Sequence, residues 1–203
     1  RTKVGTGAGK TPLSRDRIST LVARIGGDMR ALRQDGQEKS RLSGMLELRQ
    51  GLNVLGSTDK GAVTASGYSP SRFDGSARAT IVRAQVDTVY GLGKIFDLAT
   101  SLRGQWSNKA LLNFDEFSVG NLTLGRGFDP GANGGDRAVG TSIELRAKLL
   151  QRGNTKGEVF GFFDGVKLWN KDPASTERNR VLRSYGAGAR IALPGQMLLE
   201  VTY

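Results

Sequence analysis

The chain has 203 residues, which suits one domain of ordinary size or part of a larger one. It holds neither cysteine nor histidine, and this removes disulfide scaffolds, Cys/His zinc sites, thiol nucleophiles and Ser-His-Asp triads. The net charge is +11, from 30 basic and 19 acidic residues, a balance that points first to a polyanion, yet the basic residues are scattered singly along the chain.

The chain starts on the polar run "RTKVGTGAGK" without an initiator Met and stops on "MLLEVTY", which reads as the middle of a strand. A piece of a longer protein is therefore expected. "GTGAGKT", from Gly5 to Thr11, imitates a phosphate-binding loop. The full pattern needs glycine at Val4 and a helix where Pro12 stands, so a flexible connection is the reading adopted.

Alternation of apolar and polar residues dominates the rest of the chain. Arg17–Ile25 alternates loosely. From Arg41, one face carries Leu42, Leu46, Leu48, Leu52 and Val54, and the other Arg41, Ser43, Glu47, Arg49 and Asn53. Val82, Ala84, Val86, Thr88 and Tyr90 oppose Arg83, Gln85 and Asp87; Phe96, Leu98, Thr100, Leu102 and Trp106 oppose Asp97, Ser101, Arg103 and Gln105. Further on, Ile143, Leu145, Ala147 and Leu149 oppose Glu144, Arg146 and Lys148, and Val159–Leu168 is apolar on both faces. Tyr185–Leu193 and Met197–Tyr203 alternate again, with Arg190 and Glu200 on their polar faces. Period two sustained this often predicts long antiparallel strands.

Strands of soluble sandwiches usually run about five or six residues. These run about ten to fourteen, the length of membrane-spanning barrel strands with one apolar face. No apolar run is long enough for a transmembrane helix. A soluble lipocalin-type barrel would turn the apolar face inward, and alternation alone does not distinguish inward from outward. With Phe114–Gly120 counted as a short strand, roughly nine strands are expected. The polar stretches Gly56–Gly75 and Asn170–Arg180 read as loops.

No catalytic constellation emerges. Asp115 and Glu116 are adjacent and point to opposite faces of a strand, so they cannot easily address one bond. "YGAGAR", Tyr185 to Arg190, lacks the third glycine of a dinucleotide fingerprint; glycine on the polar face of a strand more often admits close approach of another element. No enzyme activity, cofactor or metal is expected.

The stretch "LTLGRGFDPGANGGDRAVG", Leu122 to Gly140, is too polar for a core strand and too rich in glycine for a helix. Its flanks carry Phe117 with Gly120, Arg126-Gly127-Phe128 at the tip, Gly135-Asp136, and Glu144-Leu145 in the next strand. Phe162-Phe163-Asp164, with Gly165 after it, supplies a Phe-x-Asp in the strand beyond. In this order the motifs resemble the TpsB transporters of two-partner secretion, the haemolysin secretion/activation proteins, which join POTRA domains to a barrel. The resemblance is strongest from about Gly104 to Tyr203.

The resemblance implies an all-β fold, a transmembrane antiparallel β-barrel of about sixteen strands. Residues 1–203 would be its C-terminal portion, with a long loop at about 121–140 and the POTRA domains and first strands outside the chain. It implies a bacterial outer-membrane pore that exports an unfolded, secreted partner of the large adhesin or haemolysin type, without ATP. The chain would work as a monomer in contact with outer-membrane lipid, and without nucleic acid. It also implies a set of loop-tip and barrel-wall residues: Arg126, Gly127, Phe128, Asp136, Phe162, Asp164 and Gly165, with Arg126 reaching Asp164 and Phe128 packed nearby.

Asn121 and Gly125 depart from the family pattern, and Gly125 is expected to loosen the loop. Within the superfamily of outer-membrane translocases an assembly insertase shares the Arg-Gly-aromatic and Phe-x-Asp motifs, while the "EF-x-x-G" strand and the "GDRA" run lean toward secretion; outside it stands a soluble basic β-protein that binds polyanions. The Arg126 loop and Asn170–Arg180 are expected at the outer surface, and Gln151–Lys156 and "LPGQ", Leu193 to Gln196, at the periplasmic end. Strand alternation then sends Gly56–Gly75 to the periplasmic end as well, although that connection is long for such a turn.

Overall fold

The computed structural model describes residues 14–34, 36, 38–61, 68–120, 124–129, 131, 133–153, 155–172 and 177–203, and the backbone of 2–4 and 11–13. The phosphate-loop imitation at 5–10 and Asn121 lie outside the described residues.

The described residues form twelve strands in chain order: β1 (Thr2–Val4), β2 (Thr11–Ser14), β3 (Thr20–Leu32), β4 (Glu38–Gly51), β5 (Thr80–Leu92), β6 (Phe96–Ser107), β7 (Phe117–Val119), β8 (Asn133–Gly135), β9 (Arg137–Arg152), β10 (Thr155–Trp169), β11 (Asn179–Leu193) and β12 (Met197–Thr202). Eight of them form one antiparallel sheet in the order β12-β11-β10-β9-β6-β5-β4-β3, an up-and-down meander with open edges at β12 and β3. β1 pairs with β2, and β7 with β8, as small separate ribbons.

Phe114–Gly120, expected as a strand of the sheet, belongs to the connection between β6 and β9. A 3-10 turn at Asn113–Asp115 and the short β7 take its place, and β7 pairs with β8 inside that same connection. Seven residues with Asp115 and Glu116 in their midst have neither the length nor the alternation of their 12-residue neighbour β6. The error propagates by parity. Removing one strand moves the connection at 52–79 to the same end of the sheet as the connections at 108–136 and 170–178. The described parts of Gly56–Gly75, residues 56–61 and 68–75, are thus not with Leu193–Gln196, as expected, but at the opposite end. The short turns at 33–37, 93–95, 153–154 and 194–196 all gather at that other end, and in the last of them Gly195 takes a φ of +80° that a side chain resists.

The two faces of the sheet differ as the alternation requires. Leu145 is 49% exposed and Leu199 61%, and Leu46, Val86, Leu102 and Phe163 share that outward face. On the opposite face Glu47, Glu144 and Asp164 are buried, the last completely. Charge is covered and aliphatic surface is bare, the reverse of a water-soluble domain. What covers the charge is the β6–β9 connection, folded back across the sheet. Val119 and Leu124 of that connection pack with Ala138, Val166 and Leu168 of the wall, and Phe117, Phe128 and Leu182 close the cluster.

Glycine and aromatic side chains interlock on the same face. Phe160 pairs with Gly188 and Phe162 with Gly186 across the β10–β11 ladder. A methyl at Gly188 would stand 2.5 Å from the Phe160 ring, and one at Gly186 2.8 Å from the Phe162 ring. "YGAGAR" is therefore the surface on which two rings lie.

Candidate functional site: an arginine clasp under the loop

Arg126 leaves the loop and enters a slot made by β9 and β10. Its Nε and Nη2 donate to Oδ2 and Oδ1 of Asp164 at 3.2 and 3.1 Å, the side-on fork that suits a guanidinium and a carboxylate. The backbone N–H groups of Gly125 and Arg126 both donate to Asp164 Oδ2 at 3.0 Å, so one buried carboxylate accepts four hydrogen bonds from the loop tip. On the other side Arg126 Nη1 pairs with Glu144, and Nη2 also reaches Ser142 Oγ at 3.1 Å. The guanidinium carbon lies 3.7 Å from the centroid of Phe162. A charge buried this deeply is tolerable only with its partners in place.

The strand period explains the arrangement. Ser142 and Glu144 on β9, and Phe162 and Asp164 on β10, are each two residues apart and so face the same way. Across the ladder Phe162 pairs with Glu144 and Asp164 with Ser142. The wall is thus a square of four side chains into which one arginine fits.

Gly127 and Phe128 complete the tip. A methyl at Gly127 would meet Ser184 Cβ at 2.9 Å, so the tip lies directly against β11. Gly165 stands apart. It points to the outward face beside the Phe163 ring, and the structure does not bring it into the clasp. Gly125 does not loosen the loop. It adopts φ +72°, a methyl there would collide with Val119 Cγ1, and its N–H holds Asp164, so glycine is what allows the tip to close.

Asp136 sits elsewhere, at the end of the sheet where the long connections meet. Fully buried, it accepts from Arg72 Nη1 at 2.7 Å, from the N–H of Leu111 at 2.6 Å and from the N–H of Lys171 at 2.6 Å. Those donors come from all three long connections. Arg72 in turn reaches Leu111 O at 2.9 Å and Glu116 at 2.6 Å. The other limb of the loop is held by Asp115, 3.1 Å from Arg49 Nη2, and by its carbonyl, which accepts from Arg83 at 2.9 Å. Burial pushes the carboxyls of both Asp115 and Glu116 up, against the pull of Arg49 and Arg83 on the first and of Arg72 on the second.

Sequence reasoning overlooked Arg72, which lies in a stretch read only as a polar loop, and it did not assign Glu144 to the clasp. The alternation did place Glu144 on the polar face, two residues from Ser142. That is the signal from which its role could have been drawn. Nothing in the sequence marks Arg72.

A meander of long strands, bare and aliphatic on one face and charged beneath a folded-back loop on the other, is the wall of an outer-membrane β-barrel. The chain belongs to the haemolysin secretion/activation protein family ShlB/FhaC/HecB, whose family model matches residues 22–191. It is similar to the outer membrane transporter CdiB-2 of Burkholderia pseudomallei (strain 1026b), with 27% identity over 161 residues, 78% of this chain and 25% of that protein. The chain thus spans about a quarter of the curated relative it matches. No solved structure gave a significant match.

Proposed function

We propose that this chain forms part of the wall of an outer-membrane pore that exports an unfolded partner protein by two-partner secretion, without ATP. The loop carrying Arg-Gly-Phe acts as an element inside the lumen whose seat on β9 and β10 keeps the pore in one defined state. The observation that carries this reading is the Arg126 clasp. A long loop loses much conformational freedom on ordering, and a guanidinium held by Asp164, Glu144 and the face of Phe162 supplies the interactions that offset it. The closed strand edges of a complete barrel would let the backbone cross hydrocarbon without unpaired amides. The charged lumen offers an extended polypeptide few apolar places to stick. The end bearing the three long connections is the outer surface.

The test is a deletion of the gene complemented with wild-type protein or with Arg126→Ala, and then immunoblotting of the secreted partner in medium and periplasm. Partner in the medium with wild type, and its retention or loss in the cell with the variant, is the expected result. A general fall in outer-membrane proteins with secretion of the partner intact would instead indicate an insertase.

A further inference from the structure

A cavity of about 210 Å³ opens on the lumen face beside the clasp. Arg103, Arg126, Arg146 and Arg190 line it, with Asp87 and Glu144 between them. Three of these arginines have their counter-charges. Arg126 is bound by Asp164 and Glu144, Arg146 by Glu144 at 2.7 Å, and Arg190 by Glu158 and Glu200 at 2.7 Å each. Asp87 accepts from the Gln85 amide at 2.5 Å.

Arg103 differs. Among the described residues it has no carboxylate within ion-pair distance, and its Nε is buried without a hydrogen bond. Ser101 Oγ, two residues along the same face of β6 and in the same cavity, is likewise buried and unpartnered. A buried donor left unmade costs about 1–3 kcal/mol, and more where charge is involved. Two such groups on one face of β6, in a cavity edged by three further guanidinium groups, form a cradle for an oxygen anion.

We infer that Arg103 and Ser101 form a docking point for carboxylate side chains of the exported polypeptide. The inference rests on the pore reading above for the source of the ligand. The chemistry favours a carboxylate, because Arg103 can offer two parallel donors and Ser101 a third. The cavity holds a side-chain terminus and not a folded segment, so an extended chain would engage it one acidic residue at a time.

Binding is measured by fluorescence anisotropy with a labelled hexaglutamate peptide and the full-length protein, folded in detergent. Arg103→Gln should weaken binding at least tenfold, and Arg103→Lys, which keeps the charge but not the two parallel donors, should recover only part of it. Arg183→Gln, which removes the same charge from the outward face, should change it less than twofold, and a hexaglutamine peptide should not bind. Equal weakening by Arg103→Gln and Arg183→Gln would reduce the effect to net charge and overturn the site. Displacement of the peptide by millimolar acetate or phosphate would make this a small-anion site and overturn the polypeptide assignment. Because binding is read without transport, failure of the site and failure of the pore reading are separable.

Discussion

Arg126 of the loop lies over the face of Phe162 in the wall: the guanidinium carbon stands 3.7 Å from the ring centroid, while Asp164, two residues along the same strand, takes the guanidinium edge. One strand face thus offers the arginine both a carboxylate and an aromatic surface. Phe162→Leu keeps the apolar bulk and removes the π-face. A cation over an aromatic ring is worth about 0.5–2 kcal/mol according to its exposure. The variant should therefore unfold at a lower temperature in a heat-modifiability gel, with the folded band still present. An unchanged midpoint would reduce the ring to a spacer.

Asp136 organises the end of the sheet in a different way, by gathering Arg72, Leu111 and Lys171 from three connections. Asp136→Ala leaves two backbone N–H groups without their acceptor and Arg72 with Glu116 and Leu111 O. A buried donor left without its acceptor costs about 1–3 kcal/mol. Protease added to intact cells should then cut the long connections while the strands resist. Wild-type and variant connections cut at the same rate would contradict the role given to Asp136.

Much of this was legible in the sequence, and the limit has a physical cause. Period two assigned Leu145 and Leu199 to one face and Glu144, Arg146 and Arg190 to the other, because side-chain direction in a strand is local. Strand number depends instead on whether a short segment joins the sheet, which is a tertiary outcome. Phe114–Gly120 has enough apolar character to resemble a strand, but among the described residues only its Phe117–Val119 part pairs, and with residues 133–135. Counting it displaced the connection at 52–79 to the wrong end and hid Arg72, whose partners lie in other connections. Gly125 misled for a related reason: a missing side chain reads as freedom, whereas here it permits a positive φ and a tight contact with Val119.

Gly125 gives a direct check. Gly125→Val would place a branched side chain at φ +72° against Val119 Cγ1. Backbone strain of this kind costs about 1–3 kcal/mol, before the collision is added. The loop tip should lift from Asp164, and the effect on heat-modifiability should approach that of Arg126→Ala. Tolerance of valine would mean that the tip adopts another conformation.

The two faces of β9 are tested by adjacent positions. Arginine at Leu145, mid-strand on the aliphatic face, should cost about 2–4 kcal/mol in the bilayer. Cysteine at Arg146 should react with a water-soluble maleimide in intact membranes, and cysteine at Leu145 should not. The opposite labelling pattern would invert the barrel wall.

We propose joint action of Arg126 and Asp164 in export. Its most direct test is a double-mutant cycle read as secretion of the partner protein, with Arg126→Ala, Asp164→Ala and the pair compared at equal amounts of folded transporter. Two residues of one clasp are non-additive, so the double variant should secrete scarcely less than the worse single one. Losses that multiply fully in the double variant, or secretion untouched by either single change, would contradict it.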